Sequence, residues 1–194
     1  PIILKGLKRL EYRGYDSAGV AVGENNKLNI FKEKGKVVDL EKLIKKEGFI
    51  SGTVGIGHTR WATHGVPSYE NAHPHTSGNN RLAIIHNGII ENYDSIKKAL
   101  INKGHQFKSD TDTEVLIHLI EEIEEIEQVS LFEAVRLALN EVVGAYAILI
   151  MKEGESNEFI AARKGSPLVI GIGEEEYFVA SDATPIVEYT REVV

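Results

Sequence analysis

Four residues in this chain are of the types and in the settings that do chemistry. Arg60 stands in HTRWATHG, at the end of an apolar run. Its planar guanidinium can grip a carboxylate or phosphate with two parallel hydrogen bonds, or serve in a structural ion pair. Asn87 and Gly88 follow one another in HNGII. A side-chain amide beside a glycine N–H makes two neighbouring donors, suited to an oxyanion hole. The same dipeptide between two apolar runs is also the strongest short-range signal for a β-hairpin. Asp112 lies in SDTDTE. There Thr111 and Glu114 have the spacing of a capping box, and an aspartate in a first helical turn gains from the helix dipole. The cap does not require Asp112 itself, which leaves a cation-binding role open.

His58, His64, His73, His75 and His86 crowd the same part of the sequence and raise the question of zinc. No H-E-x-x-H or comparable helical spacing joins them, and Pro74 separates His73 from His75 in a way that fits no common ligand pair. They are expected to make hydrogen bonds, and no metal site is expected. Ser166, in KGSPL, lacks the G-x-S-x-G frame of a nucleophile elbow and reads as part of a turn.

The elements that must position these residues follow from periodicity. Ile3, Leu7 and Leu10 mark one face of a first helix. YRGYDSAG is turn-like. Ala18 to Val22 and Leu28 to Phe31 predict two strands joined by GENNK. VVDLEKLIKKE has helical spacing through Val37, Leu40 and Ile44, and GTVGIGHTR reads as a buried strand that delivers Arg60. The next 20 residues, from Trp61, show no clear period, and loops of this length in compact domains are often functional. A helix is predicted from about Tyr93 to Lys103 and another from SDTDTE, with Val115, Leu119 and Ile123 facing inward. A third covers about 130–140. From Gly144 onward GAYAILIMK, EFIAAR, PLVIGIG and YFVAS predict strands, followed by a short helix near Pro185. Short connectors between strands imply antiparallel pairing, with the helices packed on one sheet or between two: an α+β domain. EEIEEIEQ reads as a solvated helix face.

Composition bounds the function. The chain has 194 residues, 42% of them hydrophobic, enough for one sizeable domain spanning 1–194. No internal repeat or linker divides it. The formal net charge of -7 argues against nucleic acid as a partner. There is no cysteine, which excludes disulfides and cysteine-ligated zinc within these residues. No apolar run reaches the roughly 20 residues of a membrane span, and no signal peptide is visible. A cytoplasmic protein without membrane contact is expected. The sequence starts at Pro1 inside a helical pattern and stops at Val194 within an apolar run, so a fragment truncated at both ends is expected.

Taken together, LEYRGYDSAG, GHTRWATHG, NAHPH, HNGIIEN, SDTDTE and ARKGSPLVIG resemble, in this order and over nearly the whole chain, the glutaminase domain of the glutamine–fructose-6-phosphate aminotransferase family, class II glutamine amidotransferases. The resemblance implies the N-terminal-nucleophile hydrolase fold, a four-layer αββα sandwich with two antiparallel sheets. It implies a domain that hydrolyses L-glutamine to glutamate and passes ammonia to a C-terminal sugar-phosphate isomerase domain of the same polypeptide. That domain makes glucosamine 6-phosphate from fructose 6-phosphate, without a cofactor, in a protein that is a homodimer at full length.

Residue by residue, the resemblance implies that Arg60 binds the α-carboxylate of glutamine with help from Thr63 and His64, and that Asp112 binds the α-ammonium. Asn87 and Gly88 form the oxyanion hole, Trp61 gates an ammonia channel, and Arg13 lies near the nucleophile. The set also makes physical sense. Glutamine is a zwitterion, and a site that reads it needs a fixed cation and a fixed anion at one end and neutral donors at the amide end. The nucleophile implied by the resemblance is an N-terminal cysteine whose own α-amine acts as base. The sequence holds none, so the chain by itself is expected to lack glutaminase activity. The alternatives are a sister amidotransferase with another acceptor, or a non-catalytic amino-acid-binding module.

Overall fold

The computed structural model describes residues 2–14, 16–48, 51–61, 65–155 and 157–194. One sheet is a hairpin plus a returning strand. β1 (Ser17–Glu24) pairs antiparallel with β2 (Lys27–Lys34) on one side and with β3 (Val54–Arg60) on the other. The hairpin turns on Asn25 and Asn26, with φ of 51° and 60°. Both sit in the left-handed region that a two-residue turn demands and asparagine tolerates. Each strand is longer than its apolar run, because the ladder carries it to the turn.

The second sheet has the order β4-β5-β6-β7, with β4 (His75–Thr76), β5 (Leu82–Ile90), β6 (Gly144–Lys152) and β7 (Ile160–Lys164), all antiparallel. The long stretch after Trp61 is therefore not wholly loop, since β4 lies within it. A separate ribbon pairs β8 (Val169–Ile172) with β9 (Tyr177–Ala180).

Two-residue alternation along the strands sorts the side chains into layers. Ala21 of β1 and Ile56 of β3 pack against Ala83 and Ile85 of β5 and Leu149 and Met151 of β6, joining the two sheets face to face. The outer face of the first sheet, through Ala18 and Val20, holds α1 (Ile2–Leu10) and α2 (Val37–Glu47) by Leu7, Val37 and Leu40. The outer face of the second sheet packs Leu82, Ile84, Tyr146, Ile148 and Ile150 against α4 (Asp112–Glu127) and α5 (Leu131–Glu141), with Ile96 of α3 (Tyr93–Asn102) at the edge. The result is a four-layer αββα sandwich, with helices outside both sheets rather than between them.

Four expectations are corrected. Asn87 and Gly88 do not turn a hairpin. β5 runs straight through them, with Asn87 opposite Ala147 and Gly88 opposite Tyr146, because β6 supplies a partner along the full length of β5. Near Pro185 there are hydrogen-bonded turns instead of a helix: Ile186 and Val187 both donate to the Ala183 carbonyl, and Pro185 has no N–H to continue a ladder. On α4, Val115 is fully buried as expected, but so are Leu116, Ile117 and Ile120, while Leu119 and Ile123 are only partly covered, since α5 and β5 together wrap more than one face. Within the acidic run, Glu121 is buried, accepting N–H bonds from Gly78 and Asn79.

Candidate active site

The site is built where the inner faces of β3 and β5 meet the start of α4. On β3, Ile56, His58 and Arg60 share the inward face and are buried. Gly57 faces the other way, against α1, where an added Cβ would lie 2.4 Å from a methyl of Ile3. A glycine there lets the helix approach closely, which seats the strand. β1 holds the end of β3 through the pairing of Ser17 with Arg60 and the bond from the Asp16 N–H to the Arg60 carbonyl.

Arg60 is 4% exposed. Its Nη2 donates to the Gly65 carbonyl at 3.3 Å, and its Nη1 lies 3.9 Å from Asp16 Oδ1. Trp61, the next residue, is 64% exposed and lies at the mouth of the cleft.

On β5 the inward residues are Ala83, Ile85 and Asn87, and His86 points to the helical side. His58 and Asn87 meet across the two sheets, with Nε2 and Oδ1 2.9 Å apart. A carbonyl oxygen only accepts, so His58 Nε2 carries the hydrogen and donates it. Burial pushes the His58 pKa down to about 4, so the ring is neutral at neutral pH. With Oδ1 held, the NH2 of the Asn87 amide is the end directed at the open space.

Gly88 has φ +132°, and a Cβ there would lie 2.0 Å from the Ala145 carbonyl oxygen, so no side chain fits. Just past it, the Ile90 N–H donates to Asp112 Oδ2 at 2.8 Å, tying the end of β5 to the first residue of α4. Half of the capping box is present: the Thr111 hydroxyl accepts from the Glu114 N–H at 3.3 Å, while the Glu114 carboxylate accepts from the Lys108 and Ser109 N–H groups and the Thr111 N–H donates to the Ser109 hydroxyl. Asp112 is buried at the start of the helix.

The histidines are hydrogen-bonded into this frame. His73 Nε2 and His86 Nδ1 both contact the Thr113 hydroxyl, at 3.1 and 3.0 Å, and His75 Nε2 contacts the Thr111 hydroxyl at 3.0 Å. Burial holds His73 well below its usual pKa and His75 down at about 3.

One cleft of about 1180 Å³ runs from the space between the sheets around the β3 edge to α1, and Arg13, Arg60, Trp61, Asn87, Gly88 and Asp112 are among the residues that line it. Arg13 is anchored at its edge, with Nη2 donating to Ser181 Oγ at 2.6 Å and Nη1 3.3 Å from Asp182 Oδ2. Thr63 and His64 lie outside the described residues. Sequence reasoning missed three supports: His58 behind Asn87, Thr113 between two histidines, and Asp16 beside Arg60. Only the first had a legible signal, since alternation from Ile56 puts His58 on the inner face.

Two face-to-face antiparallel sheets with helices outside, and a cleft opening between the sheets, form the N-terminal-nucleophile hydrolase fold. Residues 58–188 match the glutamine amidotransferase domain family, and the chain belongs to that family. It is similar to the glutamine–fructose-6-phosphate aminotransferase (isomerizing) of Bacteroides thetaiotaomicron, 63% identical over 195 residues, covering all of this chain and 32% of the relative. The enzyme of the same name from Thermus thermophilus is 52% identical over 193 residues, covering all of this chain and 31% of the relative. The chain thus spans about a third of the length of these curated relatives. Among solved structures, the glutamine phosphoribosylpyrophosphate amidotransferase from B. subtilis is similar with a TM-score of 0.82 at 34% identity, over 97% of this chain and 41% of that one. No helix among the described residues is long and apolar enough to cross a membrane.

Proposed function

We propose that this domain hydrolyses L-glutamine and that the ammonia released aminates fructose 6-phosphate in an isomerase domain of the same polypeptide, yielding glucosamine 6-phosphate. The observation that supports this most is the convergence of Arg60, Asp112 and Asn87 on one cleft. Arg60 grips the α-carboxylate, with Thr63 and His64 beside it, and Asp112 takes the α-ammonium. The carboxylate of Asp112 has lone pairs to spare beyond the Ile90 N–H. At the amide end, the Asn87 NH2 and the Gly88 N–H stabilise the oxyanion. Trp61, exposed beside Arg60, gates the route by which ammonia leaves, and Arg13 sits near the attacking group.

The sequence contains no cysteine, so in this reading the nucleophile is not among residues 1–194, and these residues bind glutamine without turning it over. The intact protein is a cytoplasmic homodimer. The acceptor follows the aminotransferase relatives that are 63% and 52% identical, because the fold is shared with a phosphoribosylpyrophosphate amidotransferase and does not choose between them.

Calorimetry with L-glutamine tests the binding half. Saturable binding that D-glutamine does not reproduce, and that Asp112→Asn abolishes, is expected. Equal heats for both enantiomers would overturn the site. A product assay on the intact protein with fructose 6-phosphate tests the acceptor.

A further inference from the structure

A second convergence of ligating side chains lies outside the cleft. His118 and Glu121 stand three apart on α4 and so share a face of the helix. His105 comes from the connector between α3 and α4, pinned there by its N–H to the Leu100 carbonyl at 3.1 Å. His105 Nδ1 and His118 Nδ1 are 2.9 Å apart, and Glu121 Oε2 lies 3.8 Å from His118 Nδ1. One ligand atom from each of the three residues lies within 4.8 Å of the others. Tetrahedral zinc with bonds of about 2.0–2.1 Å separates its ligand atoms by about 3.3 Å, within the span of these distances.

The far side of each ligand is held as well. His105 Nε2 contacts Glu122 Oε2 at 2.9 Å, and His118 Nε2 faces Glu114 Oε1 at 3.8 Å. Glu121 accepts N–H bonds from Gly78 at 2.9 Å and from Asn79 at 3.1 Å, which fixes its plane and leaves lone pairs for a cation. A carboxylate behind each ligating imidazole is the usual outer shell of a zinc site, since it sets the tautomer and aims the other nitrogen.

The two Nδ1 atoms face one another at 2.9 Å, close enough for a single ion to take both as ligands.

We propose that His105, His118 and Glu121 bind a divalent transition ion, zinc by this donor set, with water in the remaining position. His118 and Glu121 are buried, with the Phe107 ring 4.7 Å from that of His118, and the exposed turn at Gly78 gives entry. A Cβ on Gly78 would lie 3.1 Å from Glu121 Oε2 and 3.8 Å from His118 Nδ1, so glycine keeps this side open. The ion clips the α3–α4 connector and the Gly78-Asn79 turn to α4, the helix whose first residue is Asp112.

The test is zinc titration of chelator-stripped protein by calorimetry, with cobalt absorption as a second readout. One equivalent bound in the micromolar range or tighter, a raised melting temperature and the intense visible bands of tetrahedral cobalt are expected. His105→Ala, on a connector and not in the core, removes saturable binding while leaving the melting temperature of the stripped protein unchanged. Should that variant fail to fold, Glu122→Gln serves instead, weakening zinc binding on the order of 10–100-fold. Absence of saturable uptake in the parent protein, or uptake that both variants leave unchanged, overturns the proposal.

Discussion

His58 donates from Nε2 to Asn87 Oδ1 at 2.9 Å, and the two residues come from different sheets. The contact orients an amide: with its oxygen held, Asn87 presents its NH2 to the cleft. Removal of Asn87 (Asn87→Ala) in the intact protein is expected to lower glutaminase kcat by about 10²–10³, as for one oxyanion donor elsewhere, with little change in KM. His58→Leu removes the orienting donor but leaves the amide, so a smaller fall of about tenfold is expected. The double variant should then be no worse than Asn87→Ala alone, because residues that act through one another are not additive. Steady-state kinetics of the three variants checks this. Additive losses would give His58 a separate role.

Gly88 tests the backbone rather than a side chain. Its φ of +132° is costly for any other residue, and the Ala145 carbonyl lies where a Cβ would go. Gly88→Ala should therefore displace β5 from β6. A loss of about 3 kcal/mol in unfolding free energy is expected, read as a shift in urea midpoint at constant slope. A stability change under about 0.5 kcal/mol, the usual range for surface substitutions, would show that the strand relaxes freely there.

These two residues also show what the sequence could and could not convey. The apolar run GTVGIGHTR reads as a buried strand with Arg60 at its end, and Thr111 with Glu114 marks the helix start; both depend on neighbours in the chain. Asn87-Gly88 looked like a turn because every local preference says turn. What overrides it is β6, a partner far along the chain that covers β5 past the dipeptide. The same holds for the ligating cluster. His118 and Glu121 are spaced for one helix face, but His105 arrives from a connector whose path only packing fixes. In the denser group near His58, the described histidines His58, His73, His75 and His86 are engaged by threonine hydroxyls and Asn87.

Arg60 separates a carboxylate fork from a plain positive charge. Arg60→Lys keeps the charge and loses the planar pair of donors. Weaker glutamine binding by about 1.5–3 kcal/mol is expected, the range for a hydrogen bond to a charged group, with the fold retained. Calorimetry measures the first and circular dichroism melting the second. Retained affinity together with a falling melting temperature would instead assign Arg60 to the ion pair with Asp16.

The buried histidines predict a particular acid weakness. Desolvation by burial lowers the pKa of His58 from 6.5 to about 4, that of His75 from 6.5 to about 3, and that of His73 well below 6.5. In the unfolded chain each takes up a proton near pH 6.5, while in the folded protein each stays neutral to much lower pH. Between those limits the unfolded state binds more protons, so stability rises with pH and falls as the solution is acidified. The contribution is full above about pH 6.5 and is lost progressively toward pH 4, at about 1.4 kcal/mol per pH unit for each fully titrating group. Glu114 does not enter this window. Its carboxyl is depressed to about 2, where burial is outweighed by bonds from His118, Ser109 and the Lys108 and Ser109 amides, and its contribution is lost only below about pH 4.5. Urea midpoints measured from pH 7 to pH 4.5 should therefore fall steadily, and His73→Gln should remove about one proton from the slope. A flat profile over that interval would mean that the histidines between the sheets and α4 are open to solvent.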